Sequence, residues 1–234
     1  MDDAKKILNK VERKDVVYQV GHNRRFAPLY KYVKSLIDKE FHPYVAHVKM
    51  NRGELQEPRW VANHKITGGF LYESTIHLLD IIRWLMGEVS ELYCVATSNV
   101  YAELDDFTTV LKFENGTHAS FTSSAHATWL YPFESIELYG EHKSVVTKEM
   151  ELVEYSQGLK KETVSKNYSR LPIEERWGYL EEDKLFVDSV VNNCKPPVTA
   201  WDGYKAVELV EACYESARNK KSVKILKKKR NSDV

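Results

Sequence analysis

The stretch 67–87, "TGGFLYESTIHLLDIIRWLMG", decides how the chain is read. Two glycines open it, one closes it, and the run between them is apolar except at a few positions. On a helix advancing about 100° per residue, with Glu73 at zero, His77 falls at about 40°, Trp84 at about 20° and Asp80 at about −20°. Leu71, Leu78, Ile81, Ile82 and Leu85 cover the opposite side. The segment therefore reads as a helix buried almost all round with one narrow polar stripe. A buried acid or imidazole is costly unless paired, so the stripe needs partners. Glu73 and His77 can satisfy each other at i, i+4. Asp80 can pair with Arg83 or cap a neighbouring loop. A metal is a third option, without an HExxH motif or cysteine cluster behind it. The fourth is acid–base chemistry: a neutral imidazole takes a proton near neutral pH, and an adjacent carboxylate fixes its tautomer. Gly68 and Gly69 permit close approach of backbone and ligand.

Upstream, "DDAKKILNKVERKD" reads as a helix with acids at its positive end. "VVYQVG" follows as a short buried strand. A lone helix–strand unit does not cover a parallel strand on both faces, so its neighbours come from elsewhere in the chain or from another domain. "HNRRFAPLYKYVKSLIDKEF" carries Pro28 where a helix begins, and "HPYVAHVKMNRGE" is the next strand. Residues 53–67 form a loop with Pro58, Trp60, His64 and Lys65.

Downstream, the period changes to two. "VSELYCVATSN" is a strand. Hairpins follow around Asn115-Gly116, Gly140 and Gly158. Consecutive hairpins make a mostly antiparallel sheet whose second face is open to solvent or a partner. "IEERWGYLEEDKLFVDSVVNN" returns to helix, with Trp177, Leu180, Lys184, Val187 and Val191 on one face, until Pro196-Pro197 stops it. "WDGYKAVELVEACYESARNK" is the last helix and "SVKI" a final strand. The order predicts an α+β fold: an open, mostly antiparallel sheet with helices on one face.

The 234 residues carry 34 basic and 34 acidic side chains, so charge calls for neither nucleic acid nor an acidic partner. The terminal run "NKKSVKILKKKR" reads as a solvated basic tail. Cys94, Cys194 and Cys213 are too few and scattered for a disulfide framework or zinc site. No run reaches the ~18 apolar residues of a membrane span, and no signal peptide opens the chain. These features predict a cytoplasmic protein.

Four stretches together resemble one family. "GGFLYESTIHLLDIIRWLMG" resembles the substrate-domain helix of the glucose–fructose oxidoreductase / inositol dehydrogenase / MocA oxidoreductases. "MDDAKKILNKVERKD" resembles their last Rossmann helix. "VVYQVGHNRRFAPLYKYVKSLI" resembles the last Rossmann strand and the crossover, and "KPPVTAWDGYKAVELVEACYESARNKKSVKI" the C-terminal helix and strand. The resemblance implies an NAD- or NADP-dependent enzyme acting on a sugar, cyclitol or related polyol. It implies His77 as proton acceptor with Glu73 as its acid, although Asp is usual at 73 and glycine at Thr75. It places Asn23 and Arg24 at the cofactor, with Arg24 also within reach of substrate. Lys49, Asn51, Trp60, Lys65, His126 and Tyr131 are candidate substrate contacts, and Arg25 is an equal candidate for a domain salt bridge.

The ten glycines include no two with a single residue between them, so no G-x-G-x-x-G seats a pyrophosphate, and the family's E-K-P is absent. Residues 1–22 are therefore expected to be the tail of a Rossmann domain and 23–234 the substrate-binding and oligomerisation domain. No cofactor is expected on this chain alone, and a separate Rossmann subunit is a possible partner. The sheet face is expected to pair copies into a homo-oligomer. The rival expectation is a non-catalytic sugar-binding or scaffolding protein.

Overall fold

A computed structural model of the chain describes residues 1–14, 16–53, 58, 60, 63–130 and 132–226. Among them nine strands form one sheet, in the order β8-β7-β6-β5-β1-β4-β3-β2-β9. The strands are β1 (Pro43–Asn51), β2 (Val89–Thr97), β3 (Asp106–Phe113), β4 (His118–Ser124), β5 (Glu134–Gly140), β6 (Lys143–Lys148), β7 (Leu152–Gln157), β8 (Glu162–Asn167) and β9 (Val223–Lys224). All ladders are antiparallel except β1 with β4, where Val45 pairs with His118 and Asn51 with Ser124. The α+β architecture and its hairpins are those the period-two pattern predicts.

Alternation sets the two faces. In β1, Ala46, Val48 and Met50 are buried against the helices, with Leu111, Phe121, Ile136 and Leu138 from neighbouring strands. The other face carries Tyr93, Val95, Val110 and Tyr139, all exposed. On the core face lie α2 (Pro28–Lys39), α4 (Ile76–Met86) and α7 (Ala200–Asn219). Pro28 supplies the preset first turn of α2. Thr199 and Asp202 close a capping box on α7.

Three expectations change. The helix expected over about 70–86 begins with a π-helical turn, Leu71–Thr75, before α4. The helix expected from 173 is two pieces, α5 (Ile173–Arg176) and α6 (Tyr179–Val191). Gly178 divides them at φ 85°, and a Cβ there would collide with backbone of Asn23, Phe26 and Ala27. Only glycine lets that corner sit on the turn beside the arginines. The expected apolar face of this region points outward, for Leu180, Val187 and Val191 are exposed.

The third change is "VVYQVG", which joins no ladder among the described residues; its Val20 N–H donates to the Val198 carbonyl at 3.1 Å. Ahead of it, α1 (Asp2–Lys14) packs on α7 through Leu8, Ala200 and Tyr204. A groove of ≈ 600 Å³ runs between α1, Val16–Tyr18 and the segment 193–201. The remaining short helix, α3 (His64–Thr67), ends at Gly68. A Cβ on Gly69 would meet the Tyr214 hydroxyl, so the close approach the glycine permits is to a protein side chain.

Candidate active site

The parallel strands β1 and β4 end side by side, and the polar stripe of the α4 region lies over those ends. Thr75 and Ser123 bond hydroxyl to hydroxyl at 2.8 Å, and Ser123 donates onward to the Met50 carbonyl at 3.0 Å. The small Thr75 thus ties the π-helical turn to both strands. Arg52, one residue past β1, is buried beneath the ring of Phe70 at 5.2 Å. Burial pushes its guanidinium below the ordinary value against the pull of Glu73, which it binds.

That contact overturns the expected i, i+4 pair. Glu73 accepts from Arg52 Nη2 and from the Ser74 hydroxyl. His77 Nδ1 is buried and has no hydrogen-bond partner among the described residues. The backbone supplies the reason. A π-helical turn contains more residues than an α-turn, so Glu73 is rotated off the stripe it would share with His77 in a continuous α-helix. Burial, and then the nearby Arg24 and His22, hold the His77 pKa well below the ordinary imidazole value. The ring is therefore neutral at neutral pH.

The 3-10 turn Asn23–Phe26 supplies the arginines, and all four of its residues are buried. Arg24 donates from Nε (3.0 Å) and Nη2 (2.6 Å) to Glu134 Oε2, and its guanidinium lies 5.9 Å from the Trp177 ring centre. Tyr30 donates to the second Glu134 oxygen at 2.9 Å. Asn23 donates to the Trp177 carbonyl at 2.9 Å. Both residues expected at the cofactor are thus bonded to protein groups.

Arg25 forks onto Asp80 at 2.7 and 2.6 Å and reaches Asp202 at 3.2 Å. The expected Asp80–Arg83 pair is replaced, because Arg83 binds Glu88 at 2.6 Å and Asp202 at 3.2 Å. Burial pushes the Asp202 carboxyl up, but Arg25, the Thr199 amide and Arg83 bring it down to about 2.

The other expected contacts scatter. Lys49 and Asn51 have the parity of the open face, opposite Ala46, Val48 and Met50; Asn51 keeps a buried Oδ1 without a hydrogen-bond partner among the described residues. Trp60 is exposed, and so is Lys65 on α3. His126 bonds Asp106 at 2.6 Å, and that bond raises its pKa above the ordinary value. Tyr131 lies outside the described residues. Trp129, by contrast, lies against Gly53 and, edge-on, against Phe133 at 5.6 Å beside the β1 end.

Two groups near the site escaped the sequence reading. His22 is 4% exposed, and its ring stands edge-on to His77 at 5.6 Å. Its position beside Asn23-Arg24-Arg25 was the available signal. Glu149 accepts the Phe133 amide at 2.5 Å, and burial raises its carboxyl to about 7. No periodic pattern marks it, since it sits in a turn at φ 52°.

A nine-stranded, mostly antiparallel sheet with its helices on one face, and an imidazole over the ends of two parallel strands, defines the class as an α+β domain with a polar site at the strand ends. The profile described as "Oxidoreductase family, C-terminal alpha/beta domain" matches residues 34–225, and the chain belongs to that family, the Gfo/Idh/MocA oxidoreductases. It is 29% identical over 227 residues to the Bacillus subtilis oxidoreductase YrbE, covering 92% of this chain and 65% of that protein. It is 26% identical to the myo-inositol 2-dehydrogenase of Thermotoga maritima, covering 95% and 69%. The chain thus spans about two thirds of these relatives. Its fold matches a levoglucosan dehydrogenase solved with NADH at a TM-score of 0.86, covering 96% of this chain and 70% of that one at 18% identity, a likeness of fold alone. No described helix is long and apolar enough to cross a membrane.

Proposed function

We propose that the chain is the substrate domain of an NAD(P)-dependent oxidoreductase of a sugar, cyclitol or related polyol, with His77 as the group that takes the hydroxyl proton. The observation behind this reading is the state of His77: a neutral imidazole, half-buried over the ends of β1 and β4, with a ring nitrogen unsatisfied. The inositol dehydrogenase among the relatives supports the substrate class.

In this reading residues 1–22 close a dinucleotide-binding domain and residues 23–234 hold the substrate. Bound nicotinamide would supply the hydride acceptor or donor. The chain has no glycine pair to seat a pyrophosphate, and Asn23 and Arg24 are engaged with Trp177 and Glu134, so no cofactor contact is assigned to them. The dinucleotide unit therefore comes from outside residues 1–234, as a preceding domain or a separate subunit. Support comes from the β-branched run at Val16–Val20, which has no strand partner among the described residues and borders the groove beside α1.

His77 accepts the proton. Burial first, and then Arg24, fixed by Glu134, keep the ring from being charged before substrate arrives. Arg52 and Glu73 form a salt-bridged pair beside it whose remaining oxygen and N–H groups suit vicinal hydroxyls. Trp129 and Phe133 offer an apolar wall to the C–H face of a ring. We assign the open face of Tyr93, Val95, Val110 and Tyr139 to a homo-oligomer contact. The unpaired Cys94, Cys194 and Cys213 fit a cytoplasmic enzyme.

The test is turnover in the enzyme assembled with its dinucleotide-binding unit, with inositol as first substrate. His77→Gln lowers kcat about 100-fold or more. Unchanged turnover leaves the imidazole a packing residue and favours the non-catalytic reading.

A further inference from the structure

His22 is the buried titratable group that the reading above leaves unused. Neither of its ring nitrogens has a hydrogen-bond partner among the described residues, although the side chain is 4% exposed. A buried imidazole with both nitrogens orphaned is costly, and such groups in native structures call for an explanation. Two neighbours offer one. On one side the His77 ring stands at 89° to it, centres 5.6 Å apart, with its own Nδ1 orphaned. On the other, His22 Nε2 lies 3.8 Å from Asp80 Oδ1. The two touching histidines thus carry three ring nitrogens without a partner among the described residues, beside a carboxylate that Arg25 clamps.

We propose that His22 is the positioning partner of His77, the two imidazoles sharing one proton across an N–H···N contact over the Asp80 carboxylate. A small rotation about each Cβ–Cγ bond, the soft torsion of an imidazole, turns the edge-on contact into that hydrogen bond. The role rests on His77 as proton acceptor. His77 Nδ1 faces inward, which leaves Nε2 for the substrate. The hydroxyl O–H bond breaks as an N–H bond forms at His77 Nε2. The His77 Nδ1–H bond then breaks as one forms at His22 Nδ1. The positive charge finishes on His22, whose Nε2 faces Asp80, instead of on His77 beside Arg24.

The groups around the pair favour that direction. His22 faces Asp80 and Asp202, which support a charge on it, and Arg25 and Arg24, which oppose one; burial outweighs them and keeps it neutral at rest. His77 has Arg24 and His22 near it and no acid bonded to it. Glu73 was the expected acid, and Arg52 holds it; the second imidazole stands where that support is missing.

The test is a ring-15N NMR titration of the full chain. The wild type is expected to show both rings moving with one common midpoint. In His22→Gln, the His77 midpoint falls by about one pH unit or more, because the charge is no longer shared. A His77 midpoint that stays or rises overturns the proposal, leaving two rings that merely touch. Should His22→Gln fail to fold, the wild type decides alone. A nitrogen–nitrogen coupling through the hydrogen bond supports the pair, and separate midpoints without coupling overturn it. The two readings fail separately. A shared proton with turnover indifferent to His77→Gln overturns the acceptor role and leaves the pair. Lost turnover without a shared proton does the reverse.

Discussion

His77 and His126 are the same side chain in two opposite settings. His126 stands at the surface with Asp106 at 2.6 Å, and that bond lifts its pKa. His77 is half-buried, its Nδ1 turned inward, with a cation near it and no acid bonded to it among the described residues, and burial first, then Arg24, depress its pKa. The acid that sequence spacing gives to His77 is held by Arg52, while His126 has a carboxylate, Asp106, bonded to it. A carboxylate beside a histidine in sequence thus says little about its charge state; backbone geometry and the nearest guanidinium decide.

The largest break in this contrast comes from the floor of the buried site. Asp80→Ala leaves Arg25 buried and without its fork. Denaturant unfolding should show a loss of about 3–5 kcal/mol. A loss under about 1 kcal/mol would mean that water reaches the arginines and that His77 is not in a dry site.

The next test uses pH. His77 and His22 have folded values below the unfolded 6.5, so the unfolded chain binds more protons as pH falls. Stability is full above about pH 6.5 and declines below it, by up to about 1.4 kcal/mol per pH unit for each ring. His77→Gln flattens that decline, as measured by unfolding between pH 7.5 and 5. A slope identical to wild type would place His77 in water.

The smallest effect is expected at the surface. His126 has its folded value raised, so its contribution is present below 6.5 and is lost as pH rises through that raised value. His126→Gln removes a partner of the ~0.2–1 kcal/mol kind typical of exposed pairs. The loss is constant below about pH 6.5, leaves the acid-side slope unchanged and fades as pH rises through the raised value, whereas His77→Gln acts on the slope below 6.5. A changed slope below 6.5 would erase the contrast.

Much of the fold was legible because hairpins announce themselves locally. Asn115-Gly116 and the period-two runs on either side fix β3 and β4. The insertion of β1 between β4 and β5 was not legible, since no local signal names a partner so far along the chain. In the site, His77 could be picked out because a polar residue on an all-apolar helix is conspicuous. Its surroundings could not. The π-helical turn that detaches Glu73, the Asp80–Arg25 fork and the Arg24–Glu134 pair are long-range outcomes. Sequence spacing sees only i, i+3 and i, i+4, and Glu134 is more than a hundred positions from its arginine.

The place of β1 also governs how the chain assembles. Strands β2 to β4 and β5 to β8 each stack by short turns between neighbours. Only β1 stitches the two stacks together, pairing Val45 with His118 on one side and Tyr139 on the other. Closing that seam joins residues far apart in the chain, so it costs more loop entropy than any hairpin of the two stacks and follows them in folding. During that interval two half-sheets present raw edges, and the β1 of a second molecule fits either as well as the chain's own. Newly made protein is therefore most prone to strand exchange before the site it will carry exists.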